Sequence, residues 1–355
     1  MINESFGEKS NLTDSICYAE SIEIQIYNGY TIATIRNPWE TGQILQQYIL
    51  VPKTSSLPNP LPKGTLIRTP LERTISYGSV QCSFFSEIDV LHTLIGVCEP
   101  QYIKIPFVQD GVQNGSIVDV GLAANPDVEK IMLLEPEAIF ASPLKDAGYG
   151  QAGKLGIPFI ECIDYMETTP LGRAEWIRFY GLLFDKKELA DSLFSKTVNS
   201  YNHLKELTLN ATNRPSVFTE MRYGNIWYLP GGNSYAAHLL RDAGADYCWK
   251  EDTSTGSLGV SFETVLDKAE KAQYWLFKYY NPQDMTYDLL AKEYANYSLF
   301  DAYKNRNIYV CNTNRVPYYE ELPIHPDYVL KDMVWIFHPE LLPGYQPRYY
   351  EKMKE

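Results

Sequence analysis

The sequence predicts an α/β protein of two lobes joined by a long rigid helix, with an N-terminal β-hairpin extension. Three observations predict it. From Arg73 to Ile163 short apolar strands alternate with stretches of helical periodicity. After Pro215 the same alternation restarts. Between them, Pro170 to about Leu209 reads as helix, with no Gly/Ser-rich linker to make the connection flexible. With 355 residues, 45% hydrophobic and 21% charged, the chain has the composition of an ordinary folded protein of about two domains.

The elements follow in order. Residues 1–70 are expected to form the β extension. Ile22–Tyr27 alternates apolar and polar side chains, Asn28-Gly29 is a strong hairpin signal, and Tyr30–Ile35 returns. Tyr48–Val51 is a further strand. Pro52–Pro70, with five prolines, reads as a connecting loop. In the first α/β lobe, 71–168, strands are expected at Thr74–Tyr77, from Ile95, at Ile117–Val120, Ala138–Ala141 and Ile157–Ile163. Phe84, Ile88, Leu91, Leu94 and Ile95 recur at helical spacing, and Asn125-Pro126-Asp127 starts a helix. The spine and following helix occupy 169–209. Thr169 and Pro170 open the first helix, and Asp185-Lys-Lys-Glu188 resembles a capping box for the second. In the second lobe, 210–355, strands are expected at Ser216–Glu220, Tyr274–Phe277 and Asn307–Cys311. Helices are expected at Tyr235–Ala243, Phe262–Ala272 and Asp327–Phe337. Short apolar strands separated by helices imply parallel sheets covered on both faces, so each lobe is Rossmann-like.

Charge and motifs exclude several functions. Lys and Arg number 31 against 44 Asp and Glu, a net charge of −13, which disfavours a nucleic-acid partner. No apolar run reaches the ~18 residues of a membrane helix. The opening stretch INESFGEKSNLTDS is polar and lacks the pattern of a secretory signal. Cys17, Cys82, Cys98, Cys162, Cys248 and Cys311 lie far apart, which leaves both disulfides and buried free thiols open. Gly148-Tyr-Gly150-Gln-Ala-Gly153 fits GxGxxG, but only three residues separate it from the strand IPFIECI. No room remains for the helix that a dinucleotide site requires. The histidines show no zinc spacing, no metal site is expected, and no GxSxG, SxxK or P-loop is present. No catalytic residue is assigned.

Tyrosine is in excess, 28 against 14 Phe. Its apolar ring and polar tip suit wet aromatic binding surfaces. Ligands of open α/β sheets sit beyond the carboxyl ends of strands. The residues expected there are Glu99, Tyr102 and Lys104; Pro143 and Tyr149; Met221, Arg222 and Tyr223; and Asn314, Arg315, Tyr318 and Tyr319. Arginine and tyrosine together suit an anionic, partly aromatic ligand. The candidate ligand-binding set is Tyr102, Tyr149, Arg222, Tyr223, Arg315, Tyr318 and Tyr319.

Several ordered segments resemble the class III, helical-spine substrate-binding proteins of ABC importers. RTISYGSVQCSFFSEIDVLHTLIGV (Arg73–Val97) is similar to that family's opening strand–helix–strand, and VGLAANPDVEKIMLLEPEAIFAS (Val120–Ser142) to its next segment. LGIPFIECIDYMETTPLGRAEWIRFYGLLF (Leu155–Phe184) resembles the end of the first lobe and the start of the spine. LPGGNSYAAHLLRDAGADY (Leu229–Tyr247) and SFETVLDKAEKAQYWLF (Ser261–Phe277) resemble second-lobe segments. The likeness spans about Arg73–Leu342 and leaves the N-terminal extension outside.

The resemblance implies a binding protein rather than an enzyme. It would capture an iron complex, either a ferric siderophore or haem, in a largely preformed cleft between the lobes, and deliver it to an ABC permease and ATPase. Cobalamin is the alternative transported ligand. The loops that carry aromatic residues in cobalamin-binding relatives are here Gly121-Leu122, Ser142-Pro143 and Ser257-Leu258, without tryptophan. Arg222 and Arg315 would suit carboxylates, catecholates or haem propionates, and Tyr149, Tyr318 or Tyr319 could serve as a haem axial ligand. An α/β enzyme using the same cleft is the competing class. The resemblance also implies permease-docking glutamates, at Glu129 and Glu263. It further implies no intrinsic cofactor, a monomer, a periplasmic or outer-face location, and a lipid-anchored precursor.

Overall fold

The computed structural model describes residues 16–355, so the polar opening stretch lies outside the described residues. The chain divides into two compact units. The first comprises residues up to Glu167 together with Leu171–Ser195; the second comprises Thr168–Pro170 and Lys196–Glu355. The boundary runs through one 23-residue helix, Lys187–Leu209. It follows the helix Pro170–Leu183 across a tight joint in which Asp185 takes a left-handed backbone, φ 55°. Asp185 therefore closes that joint and does not open a capping box.

The first unit starts with a four-stranded sheet in sequential order: Ile22–Tyr27, Tyr30–Arg36, Ile44–Pro52 and Thr65–Thr69. Tyr27 pairs with Tyr30 across Gly29, whose positive φ lets the hairpin close. The segment expected to be all loop contains the fourth strand, which pairs in parallel with Ile44–Pro52. A parallel return needs a long crossover, and the proline-rich stretch supplies one. Thr65–Thr69 lies between Pro62 and Pro70, contains no proline itself, and is free to donate to a ladder.

The main sheet of this unit is parallel, in the order Phe159–Glu161, Ala138–Ala141, Thr74–Ser76, Leu94–Val97, Val118–Asp119. The helix expected through Ile95 is shorter, Ser79–Glu87. Asp89 turns left-handed (φ 58°) and breaks the helical period, so Leu94 and Ile95 enter a strand. Pro106–Asn114 is a helix that apolar spacing did not signal, although Pro106 at its start and Gly115 (φ 80°) at its end are legible caps. Stacked Phe84 and Tyr180 (4.4 Å) and edge-on Phe85 and Phe140 (4.8 Å) bind the helices to the sheet. The N-terminal sheet is joined to the main one by buried Tyr48. Its hydroxyl donates to the Phe159 carbonyl and accepts the Glu161 N–H, both at 2.8 Å.

Two buried carboxylates fasten the chain ahead of the first strand. Glu175 accepts the N–H groups of Cys17, Tyr18 and Ala19 at 2.7–3.0 Å. Glu167 accepts those of Glu20 and Ser21 (2.9 and 3.0 Å) and the indole N–H of Trp176 (3.0 Å). Arg178 neutralises Glu175 at 3.2 Å.

The second unit has a five-stranded sheet in the order Asp246–Tyr247, Ser216–Thr219, Tyr274–Tyr279, Ile308–Asn312, Glu351–Lys352, with only the last pairing antiparallel. Trp275, Phe218, Trp227 and Phe300 fill its core. A small antiparallel sheet of Arg222–Tyr223, Ile226–Pro230 and Ser257–Val260 was not anticipated, because its strands are short and pair over a distance. Asp332, fully buried, accepts the N–H groups of Arg348, Tyr349 and Tyr350 at 2.9, 2.7 and 3.0 Å and so ties down the C-terminal segment.

Removing a buried carboxylate that serves several amides leaves those donors without their acceptor, while Arg178 keeps its pairing with Asp191 at 2.7 Å. Glu175→Ala is expected to lower the stability of the first unit by about 2–3 kcal/mol. The check is a lower urea midpoint with faster proteolysis near Tyr18.

Candidate ligand-binding site

In the first unit, the chain leaving three neighbouring strands encloses a cavity of about 420 Å³. Tyr77 and Gly78 follow Thr74–Ser76, Glu99 follows Leu94–Val97, and Ser142–Tyr149 follows Ala138–Ala141. Tyr77 is 7% exposed, and its hydroxyl has no hydrogen-bond partner among the described residues. A buried hydroxyl left in this state is costly in a finished core and suits a wall that receives a polar ligand atom. Glu99 holds a left-handed backbone, φ 50°, fixed by its N–H to the Gly121 carbonyl at 3.0 Å. Such strain on a non-glycine residue collects at binding sites.

Tyr149 belongs to the same wall. Its ring stacks on Phe159 (3.8 Å) and its hydroxyl donates to Glu161 (2.5 Å). Burial pushes the Glu161 carboxyl above the ordinary range, and Tyr149's hydrogen bond only partly offsets this. The glycine-rich motif ends in a short 3-10 turn, Ala152–Lys154, with no dinucleotide helix. It is the far end of the loop that walls the cavity.

In the second unit a smaller cavity, about 150 Å³, is lined by Glu220, Tyr235, Lys278, Tyr318, Tyr319 and Tyr350, among others. Glu220 follows Ser216–Thr219 with a left-handed backbone, φ 65°, and pairs with Lys278. Burial works against the Lys278 charge, but Glu220 outweighs it and holds the ammonium well above its ordinary value. Tyr318 and Tyr319 lie in a single helical turn, Tyr318–Glu321, where a loop was expected. Tyr318 is buried among Tyr319, Tyr349 and Tyr350, whereas Tyr319 is half-exposed.

Of the seven sequence-selected residues, Tyr149, Tyr318 and Tyr319 line these cavities and the other four do not. Tyr102 is exposed at the end of a 3-10 turn, Pro100–Tyr102. Arg222 lies over the Tyr294 ring at 3.8 Å, and Tyr223 is 82% exposed on the small sheet. Arg315 pairs with Asp284 at 2.6 Å and donates to the Pro282 carbonyl at 3.1 Å. Sequence reasoning missed Tyr77, Glu220 and Lys278. Lys278 had a readable signal: it is the single charge in the strand YWLFKY.

Glu129 and Glu263 occupy matching positions in the two units. Asp127 caps the helix Val128–Leu134, its side chain accepting the Lys130 N–H at 3.1 Å. Ser261 caps Phe262–Ala269 through the Thr264 N–H at 3.3 Å. Each glutamate is exposed at the second helical residue, where the helix dipole favours a negative charge. Hydrogen bonds from its own N–H and from Ser261 hold the Glu263 carboxyl below its ordinary value. Among the described residues, no group of three or more His, Cys, Asp or Glu side chains is placed to hold a metal. Among the described residues no disulfide joins the cysteines, and no helix is long and apolar enough to cross a membrane.

A carboxyl whose folded pKa is raised gives stability at acid pH that is lost as pH rises through that folded value. For Glu161 the window opens above its ordinary 4.5. Glu161→Gln keeps an acceptor for Tyr149 without the charge. It is expected to leave stability near pH 4 unchanged and to raise it at pH 7, as followed by urea denaturation at both pH values.

A family model described as periplasmic binding protein matches residues 90–314. An uncharacterized lipoprotein of Methanocaldococcus jannaschii is 27% identical over 99% of this chain and 88% of its own length. A Staphylococcus epidermidis structure, described as a possible iron-binding, periplasmic solute-binding protein, aligns with a TM-score of 0.60 at 16% identity. It covers 76% of this chain and 100% of that one. A periplasmic heme binding protein from Pseudomonas aeruginosa aligns at 0.59 with 14% identity, over 80% of this chain and 99% of its own. Those likenesses support the same α/β fold, and the family model spans more than half of the sequence. The chain therefore belongs to the periplasmic binding protein family and is a binding protein rather than an enzyme.

Proposed function

We propose that the chain is the extracytoplasmic solute-binding component of an ABC importer, capturing an iron complex, a ferric siderophore or haem, and delivering it to the permease and ATPase at the membrane. The observation that carries this reading is a tyrosine-walled cavity at the carboxyl ends of each unit's sheet, in a member of the periplasmic binding protein family. On this reading ligand recognition falls to Tyr149 at the cavity of the first unit and to Tyr318 and Tyr319 at that of the second. Tyr77, which sequence reasoning did not select, adds a hydrogen-bond donor, and Glu99, expected at a strand end, adds an acceptor. Arg315 is already paired with Asp284, so a carboxylate of the ligand would have to compete with that partner for its guanidinium. In a haem complex Tyr319 is the favoured axial donor, because Tyr149 gives its hydroxyl to Glu161 and Tyr318 is buried. The lipoprotein description of the archaeal relative supports an anchored protein on the outer face of the membrane.

Glu129 and Glu263 dock to the permease. Two exposed carboxylates on equivalent capped helices offer one contact per unit, which sets register and steers association with a basic surface.

Titration with a ferric trihydroxamate, a ferric tris-catecholate, haem and cobalamin, read by quenching of the aromatic fluorescence, tests the ligand class. Saturable binding of an iron complex at micromolar affinity or tighter is expected. A response to cobalamin alone, or to none, overturns the iron reading. In proteoliposomes bearing the cognate transporter, Glu129→Ala with Glu263→Ala should abolish stimulation of its ATPase while ligand affinity stays unchanged. Undiminished stimulation would reject the docking assignment.

A further inference from the structure

The N-terminal sheet lies ahead of the residues matched by the family model, which start at 90, yet it lines a second cavity of the first unit. This cavity, about 420 Å³, is bounded by Trp39, Glu40 and Leu45 on one side and by the loop from Pro143 to Tyr149, with Glu161, on the other. The same loop walls the first cavity, so the two are neighbours that share Tyr149.

Trp39 is placed there by its own turn. The Asn37 side chain accepts the Trp39 N–H at 2.9 Å, the Asn37 N–H reaches the Gln43 carbonyl at 2.9 Å, and Gly42 turns with φ 83°. The result is a closed loop that presents a half-buried indole to the cavity. On the facing side Asp146 adopts φ 59° within the turn closed by the Ala147 N–H to the Leu144 carbonyl, 3.1 Å. The charged side chains around the cavity are Glu40, Asp146, Glu161 and one cation, Lys145. An aromatic ring with an excess of carboxylates attracts a cation and repels an anion.

We propose that the N-terminal sheet builds an accessory subsite for a cationic group carried by the solute, such as an alkylammonium, with Trp39, Glu40 and Asp146 as its recognition residues. The subsite deepens the metal-chelate reading and rests on it for the identity of the cargo. It places the chelate in the tyrosine-walled cavity and a pendant positive charge next door, across the loop from Pro143 to Tyr149.

The test needs no chelate. Choline and its uncharged isostere 3,3-dimethylbutan-1-ol are titrated into the intact protein while the six indole N–H signals are followed by NMR, that of Trp39 being assigned through Trp39→Phe. Choline should shift the Trp39 signal saturably in the millimolar range. The isostere should bind at least about fivefold more weakly. Glu40→Gln with Asp146→Asn should weaken choline to the level of the isostere, with the other five indoles unmoved as the control for folding. No shift with choline, equal binding of both probes, or indifference to the double variant overturns the subsite. Iron-complex binding without choline binding removes the subsite and leaves the proposed function standing. Choline binding without any chelate response does the reverse.

Discussion

Parallel strands all end at the same edge of a sheet, and the chain must leave every strand there. The connecting segments therefore gather on one side, where their backbone groups have no ladder to join. In each unit that side carries the cavity. It also carries a glutamate forced into a left-handed turn, Glu99 in one and Glu220 in the other. The turn lets the chain drop away from the strand at once, leaving space where a longer exit would fill it. Tyrosines line that space because a ring can cover the ends of apolar strands while its hydroxyl stays near water.

The same economy governs the segments outside the sheets. Residues 17–21 and 348–350 have little regular pairing, and both are held by buried carboxylates that accept consecutive amides. One acidic side chain replaces a strand partner. Part of the net charge of −13 is thus internal and structural. Another part is displayed at capped helix starts, where Glu129 and Glu263 are oriented by short helices and not by ion pairs.

Much of the fold was legible, and the reasons are local. Ala138–Ala141 is a short apolar run, Ile22–Arg36 alternates around Asn-Gly, and Ser261 stands ahead of an amphipathic helix; each carries its own signal. What escaped depends on partners distant in the chain. Thr65–Thr69 is a strand only because Tyr48–Pro52 lies alongside it, and the small sheet of the second unit joins residues 222–230 to 257–260. The site divides in the same way. Tyr149, Tyr318 and Tyr319 reach cavity walls because they follow strand ends. Arg222 followed one too, but Tyr294 captures its guanidinium. Tyr77 gains its meaning from a hydroxyl left unpaired in three dimensions, which no spacing reveals.

Tyr48 carries a consequence for solubility. Phe159–Glu161 is the outermost strand of the first main sheet, and an open outer strand invites a strand from another molecule. One phenol hydroxyl occupies both a carbonyl and an N–H of that edge, from a side chain sealed under the N-terminal sheet. The extension thus shields the molecule from edge-to-edge aggregation. A chain trimmed of it would offer that edge to its neighbours.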